Sequence, residues 1–158
     1  MGDLRETGMA TRRRVLGDAH VDRAEVAKTD FDAPFQAMIT DAAWGHVWSR
    51  GTISDRERSM LTIALLAGLG NDHELALHLR APANQGASRD HVLEALLHVA
   101  IYAGVPRANH ALKLARDTYA QMDARQGEHM ELGQKAFRKS TPLEANSSRW
   151  GVKISSFP

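Results

Sequence analysis

Apolar residues recur along this chain at three- and four-residue intervals, and alternating runs rich in Val, Ile and Thr are missing. Ala and Leu dominate, so the pattern predicts an all-α fold with no strand. A first helix is expected from Asp18 to Lys28 and a second from about Asp32 to Ser49, with Phe35, Met38, Ile39, Ala42 and Trp48 on one broad apolar side and Gly51 at its exit. Ser54 and Glu57 form an S-x-x-E capping box, which opens a third helix running to about Leu69, where Gly68 and Gly70 provide stop chemistry. Asn71 and Asp72 cap a short fourth helix reaching Arg80. Pro82 and Gly86 then break the chain before Ser88 caps a fifth, which carries Val92, Leu93, Leu96, Leu97 and Ala100. Gly104 ends that helix, and Pro106 sits where a first helical residue belongs, so a sixth helix is expected to about Arg125 with a stop at Gly127.

The second half of the third helix, Met60 to Leu69, is apolar on every side. A small domain covers such a helix most easily with a second subunit, so a homo-oligomer is expected. The same stretch has about half of the roughly 20 residues a membrane span needs. The Met1 to Arg14 segment mixes acids with arginines and has no apolar core, so it does not read as a secretory signal, and a cytoplasmic location is the expectation. Beyond Gln126 the composition shifts to Lys, Ser, Asn and Gly. Residues 1–125 therefore read as one helical domain and 126–158 as a C-terminal extension or tail.

Composition narrows the chemistry. With 158 residues, 43% hydrophobic and 25% charged, the chain suits one soluble core. Twenty Lys and Arg against nineteen Asp and Glu leave a net charge of +1, too little for a sequence-independent nucleic-acid binder. There is no cysteine, which removes disulfides, thiolate metal sites, dithiol redox chemistry and a cysteine nucleophile. G-x-S-x-G, P-loop and dinucleotide glycine patterns are also missing.

Glu74 and His78 are four residues apart, which puts them about 40° from each other on one helix face and roughly 6 Å apart along its axis. They can serve one acid–base site, in which Glu74 orients the imidazole or raises its pKa; on spacing alone an exposed ion pair of little consequence is the commoner arrangement, and the functional reading needs support from elsewhere in the chain. His73 and His78 are five apart, about 140° around the helix, and do not make the two-histidine zinc pattern. His46, His98 and His110 read as surface or packing residues, and Trp44 and Trp48, one turn apart, as core. Arg56, Arg58 and Arg80 flank the helices that hold Glu74 and His78, and two arginines could grip a small dianion bidentately.

Six segments in order, R-x-x-V-L-G-D-A-H-V-D-R-A (Arg12 to Ala24), F-D-A-P-F-Q (Phe31 to Gln36), A-W-G-H-V-W-S-R (Ala43 to Arg50), R-S-M-L-T-I-A-L-L (Arg58 to Leu66), E-L-A-L-H-L-R-A (Glu74 to Ala81) and A-I-Y-A-G-V-P-R-A-N (Ala100 to Asn109), resemble the carboxymuconolactone decarboxylase family over roughly residues 8–125. The resemblance implies an alkylhydroperoxidase-like helical domain of about six helices, assembled as a homo-oligomer (a trimer or hexamer). Relatives in the wider fold group reduce peroxides through a cysteine pair, which this chain lacks. The turn Arg50-Gly51-Thr52 also lacks the proline expected there, and residues 126–158 match nothing in the family.

The implied reaction is decarboxylation of 4-carboxymuconolactone to 3-oxoadipate enol-lactone, in the protocatechuate branch of the β-ketoadipate pathway. Electrons left by CO2 flow through the ring double bond onto the lactone carbonyl. The substrate is then its own electron sink, and neither a metal nor an organic cofactor is implied. On this reading His78 stabilises or protonates the dienolate and Glu74 orients His78 or relays its proton. Arg58 and Arg80 bind carboxylates, with His20 and Trp48 completing the substrate site. Two alternatives stay open: a related lyase or isomerase acting on another small carboxylated lactone, and a non-catalytic helical oligomer that binds or scaffolds.

Overall fold

The computed structural model describes residues 3–140, among which there are seven α-helices, one π-helical segment, one 3₁₀ turn and no strand. The helices are α1 (Leu4–Leu16), α2 (Asp18–Ala27), α3 (Ala33–Ile39), α4 (Asp55–Leu69), α5 (Asp72–Leu79), α6 (Arg89–Tyr102) and α7 (Val105–Ser140); the π-helix is Thr40–Trp48 and the 3₁₀ turn Pro82–Gln85. The chain divides into two compact units between Met122 and Asp123. None of the described helices is long and apolar enough to cross a membrane.

The larger unit has two packed cores. Ile63 and Ala67 of α4, Leu75 and Leu79 of α5, Val92, Leu96 and Val99 of α6, and Ala108, Ala111 and Ala115 of α7 make the first. Each fully buried Leu, Ile or Val contributes about 1.5–3 kcal/mol, and the alanine face lets α7 approach closely. Val15, Trp44 and Trp48 make the second, where α1 lies on the π-helix. That contact is close because two glycines meet: a Cβ on Gly8 would stand 2.2 Å from Thr40 O, and one on Gly45 would stand 2.8 Å from Leu4 Cδ1. Arg5 holds Asp41 with two bonds of 2.6 and 2.7 Å, and Arg14 holds Asp55 at 2.8 and 3.1 Å, so both ends of α1 are fastened to other elements.

Both predicted serine caps are present. Ser54 accepts from Glu57 N at 3.2 Å while Glu57 accepts from Ser54 N at 2.7 Å, and Ser88 makes the same reciprocal arrangement with the His91 ring. Three expectations fail. A whole helix, α1, precedes the first one predicted. The second is split into α3 and the π-helix, and Phe35 and Met38 of its expected apolar side are exposed. The sixth does not stop at Gly127: α7 continues to Ser140, because neither Gly127 nor Gly133 adopts a positive φ and the intervening Gln, Glu, Met and Lys are good helix formers. The remainder of the expected tail, 141–158, lies outside the described residues.

Candidate active site

Gly17 connects α1 to α2 with φ +85°, a conformation that strains any residue with a Cβ, and the sharp turn carries His20 back toward the end of α5. The 3₁₀ turn secures this corner, since Asn84 and Gln85 both donate to Val15 O, at 3.3 and 2.7 Å. Between the corner and α5 lies a cavity of about 290 Å³ lined by Leu16–His20 and Arg23 on one side and Leu77, Arg80 and Ala81 on the other.

His78 is in the last turn of α5, one residue from the lining Leu77. Its ring lies nearly parallel to the Trp48 indole, centroids 6.4 Å apart and planes at 20°, and Trp48 in turn packs on Trp44 at 5.4 Å. The His78 Nδ1 is buried and has no hydrogen-bond partner among the described residues. Burial chiefly, then the neighbouring His20, push the His78 pKa below its ordinary value, and Glu74 opposes them more weakly. The expectation that Glu74 raises this pKa is therefore met in sign but outweighed. His20 is likewise held down, by its own burial and by the positive charges of Arg12 and Arg23. In both imidazoles the shift favours the neutral form.

The remaining predicted residues are placed as follows. Glu74 is exposed, and among the described residues no hydrogen bond joins it to His78. Arg80 lines the cavity and is anchored by a 3.1 Å bond to Ala76 O. Trp48 is buried beneath His78. Arg58 is not among the lining residues; it donates to Arg50 O at 2.8 Å and braces the turn before α4. His110 pairs with Asp72 at 2.9 Å on the surface, and His98 stacks on Tyr102 in a separate groove between α4 and α6. No three His, Asp or Glu side chains among the described residues form a group that could hold a metal ion.

Arg23 was missed by sequence reasoning. It stands three residues after His20, the spacing that puts two side chains on one helix face, and that signal was available. The cavity is electropositive: Arg23 and Arg80 line it, Arg12 acts on it through His20, and the lining acid, Asp18, is paired with Arg13 at 3.2 Å. Such a site suits a small anion and supplies neutral imidazoles for proton transfer or hydrogen bonding.

These features define an all-α enzyme domain built for acid–base and electrostatic chemistry without a thiol. Residues 33–117 match the carboxymuconolactone decarboxylase family. The chain belongs to that family and is one of its decarboxylases. It is 41% identical to the 4-carboxymuconolactone decarboxylase of Acinetobacter baylyi over 73% of this chain and 86% of the relative. It is 37% identical to a nitrosuccinic acid decarboxylase of Metarhizium robertsii over 75% of this chain and 83% of the relative. A 4-carboxymuconolactone decarboxylase sequence of Pseudomonas putida matches 40 residues at 55% identity, covering 25% of this chain and 83% of that sequence.

Proposed function

We propose that the chain converts 4-carboxymuconolactone to 3-oxoadipate enol-lactone, as a step of protocatechuate breakdown. The observation that carries this reading is the electropositive cavity beside a half-buried His78, whose lowered pKa favours the neutral ring and whose buried Nδ1 lacks a partner among the described residues. Arg80 and Arg23, on the cavity wall, help to hold the substrate's carboxylate charge. The bond from the ring carbon to one carboxylate breaks, CO2 leaves, and the electron pair moves through the ring double bond onto the lactone carbonyl oxygen. A hydrogen bond from an imidazole N–H stabilises that oxygen, and the α-carbon then takes a proton. A dianion arriving beside two neutral imidazoles raises their pKa, so substrate entry draws in the proton that the carbon later receives. Because electrons go to the substrate's own carbonyl, we expect neither metal nor organic cofactor.

A second reading, a succinic acid derivative bearing a nitro group, is favoured by the likeness to the nitrosuccinic acid decarboxylase. The demands are similar: two carboxylates to hold, and an acceptor group to take the electrons left by CO2. Purified protein, stripped with chelator, is to be offered each compound and CO2 release followed. Turnover of the lactone well above the nitro acid supports the first reading, the reverse order supports the second, and turnover of neither overturns both.

We also propose that a second copy covers the α4–α6 face. Leu61, Leu65 and Leu69 of α4 and Tyr102 of α6 are exposed in the single chain and line an apolar groove of about 420 Å³, and Leu93, Leu97 and Ile101 of α6 are exposed as well. Contiguous apolar surface of this kind marks an interface in a protein that stays in solution.

A further inference from the structure

Arg12 is the most deeply buried arginine of the described residues and among the least satisfied. Its residue exposure is 6%, yet its Nε and Nη1 have no hydrogen-bond acceptor among the described residues. Nη2 donates to Gln36 Oε1 at 3.2 Å. The nearest carboxylate oxygen, Glu25 Oε1, is 3.5 Å from Nη1, too long for a good bond, and the other oxygen of Glu25 is held by Lys28 at 2.5 Å. Arg5 and Arg14, half exposed, each have a carboxylate bound through two nitrogens. A permanently charged guanidinium with idle donors away from water is costly, so a fold that keeps one has an acceptor arriving from elsewhere.

The location indicates which acceptor. Arg12 lies behind the lining residues, one helical turn before Leu16, a wall of the cavity, and its charge is felt by His20, another wall. We propose that Arg12 is a further substrate-binding residue, gripping from the α1 side the carboxylate that the substrate keeps. A buried cation is suited to that group and not to the departing one: a tight hold on the carboxylate that becomes CO2 stabilises the ground state and raises the barrier. The leaving carboxylate is then left to the more exposed Arg80 and Arg23. This inference rests on the dicarboxylate reading above, but it is tested without turnover.

The probes are succinate and propionate, two chains that differ by one carboxylate, titrated calorimetrically into the full chain and into Arg12→Met. The wild type should prefer succinate, and Arg12→Met should lose at least about tenfold in succinate affinity, the scale of one charged hydrogen bond, with propionate little changed. Equal weakening of both, or no succinate preference in the wild type, overturns the assignment. Should Arg12→Met fail to fold, the wild type still answers through the ¹⁵N–¹H resonance of Arg12 Nε, identified by its loss in Arg12→Lys. Saturating succinate should shift it, and an unmoved resonance overturns the proposal. A shifted resonance in a protein that leaves the lactone untouched would keep Arg12 as a carboxylate anchor while removing the lactone as substrate.

Discussion

His78 and Trp48 come from segments thirty residues apart, and their rings lie nearly parallel with centroids separated by 6.4 Å. The indole packs beside the imidazole and contributes to the burial that favours its neutral form. Replacing Trp48 with Leu should lessen that burial. The His78 pKa, followed by the NMR shift of its ring protons, is expected to rise toward the ordinary value, and kcat to fall. A Trp48→Phe variant keeps an aromatic cover and should lose less on both counts. An unchanged His78 titration in Trp48→Leu would falsify the role given to the indole.

His78→Gln should lower kcat by about 10²–10⁴-fold with the helical circular dichroism intact, the range in which a positioned proton-transfer group acts. Glu74→Gln is the instructive companion. The carboxylate is exposed and unbonded to the ring, so its removal is expected to cost less than about tenfold, a long-range electrostatic effect. Equal losses in the two variants would restore Glu74 to a direct part in the chemistry.

Some of this was legible in the sequence and some was not, for identifiable reasons. Ser54 and Ser88 announced α4 and α6 because capping is local chemistry, complete within four residues. α1 was invisible to periodicity because its buried residues are Gly8, Thr11, Arg12 and Val15, and three of those do not score as apolar. The π-helix widens the turn between Thr40 and Trp48, a change no apolar spacing encodes. At the site, Glu74 and His78 were found through their spacing, whereas the stacking of Trp48 on His78 and the approach of His20 depend on how α1, the π-helix and α5 pack. Arg58 looked equivalent to Arg80 in the sequence; only the bond to Arg50 O and the walls of the cavity separate them.

That separation gives a kinetic prediction. Arg80→Ala and Arg23→Ala each remove a cation from the cavity wall and should raise KM by roughly tenfold or more, since charged hydrogen bonds contribute about 1.5–3 kcal/mol. Arg58→Ala leaves the wall intact and should change KM less than about threefold, while lowering Tm through the loosened turn. Steady-state kinetics on the three variants checks this ordering, and a KM for Arg58→Ala as high as that for Arg80→Ala would contradict it.

The lowered histidine pKa values also bear on stability. Above about pH 6.5 His78 is neutral in both the folded and the unfolded chain, and its contribution is fully present. As the pH falls below that value the unfolded chain takes up a proton that the folded one refuses, so stability is lost on acidification until the lower, folded pKa is passed. For His78 burial sets the direction, His20 reinforces it and Glu74 opposes it; His20 is itself lowered by burial and then by the charges of Arg12 and Arg23. The carboxylates held down by their partners, Glu25 and Asp41 among them, act only at lower pH. Between pH 7.5 and 5.5 the denaturation midpoint should therefore fall for the wild type and fall less for His78→Gln; parallel slopes would remove His78 from the account.

The last prediction concerns assembly. Leu61, Leu65 and Leu69 follow one another at four-residue spacing along α4, and all three are more than half exposed in the isolated chain. Water-facing leucines in such a row carry a free-energy penalty that a second copy removes, and the exposed Tyr102 of α6 lines the same groove. Light scattering at micromolar concentration should report a homo-oligomer for the wild type. Leu65→Lys puts a charge in the middle of the row, where burying it unpaired costs several kcal/mol, and should shift the population to monomer. Ile63 and Ala67, which point into the core beside it, are untouched by the change, so the helical signal should be retained. A wild type that stays monomeric would leave the apolar face without a partner of its own kind, and a Leu65→Lys variant that keeps the full assembly would place the interface elsewhere on the molecule.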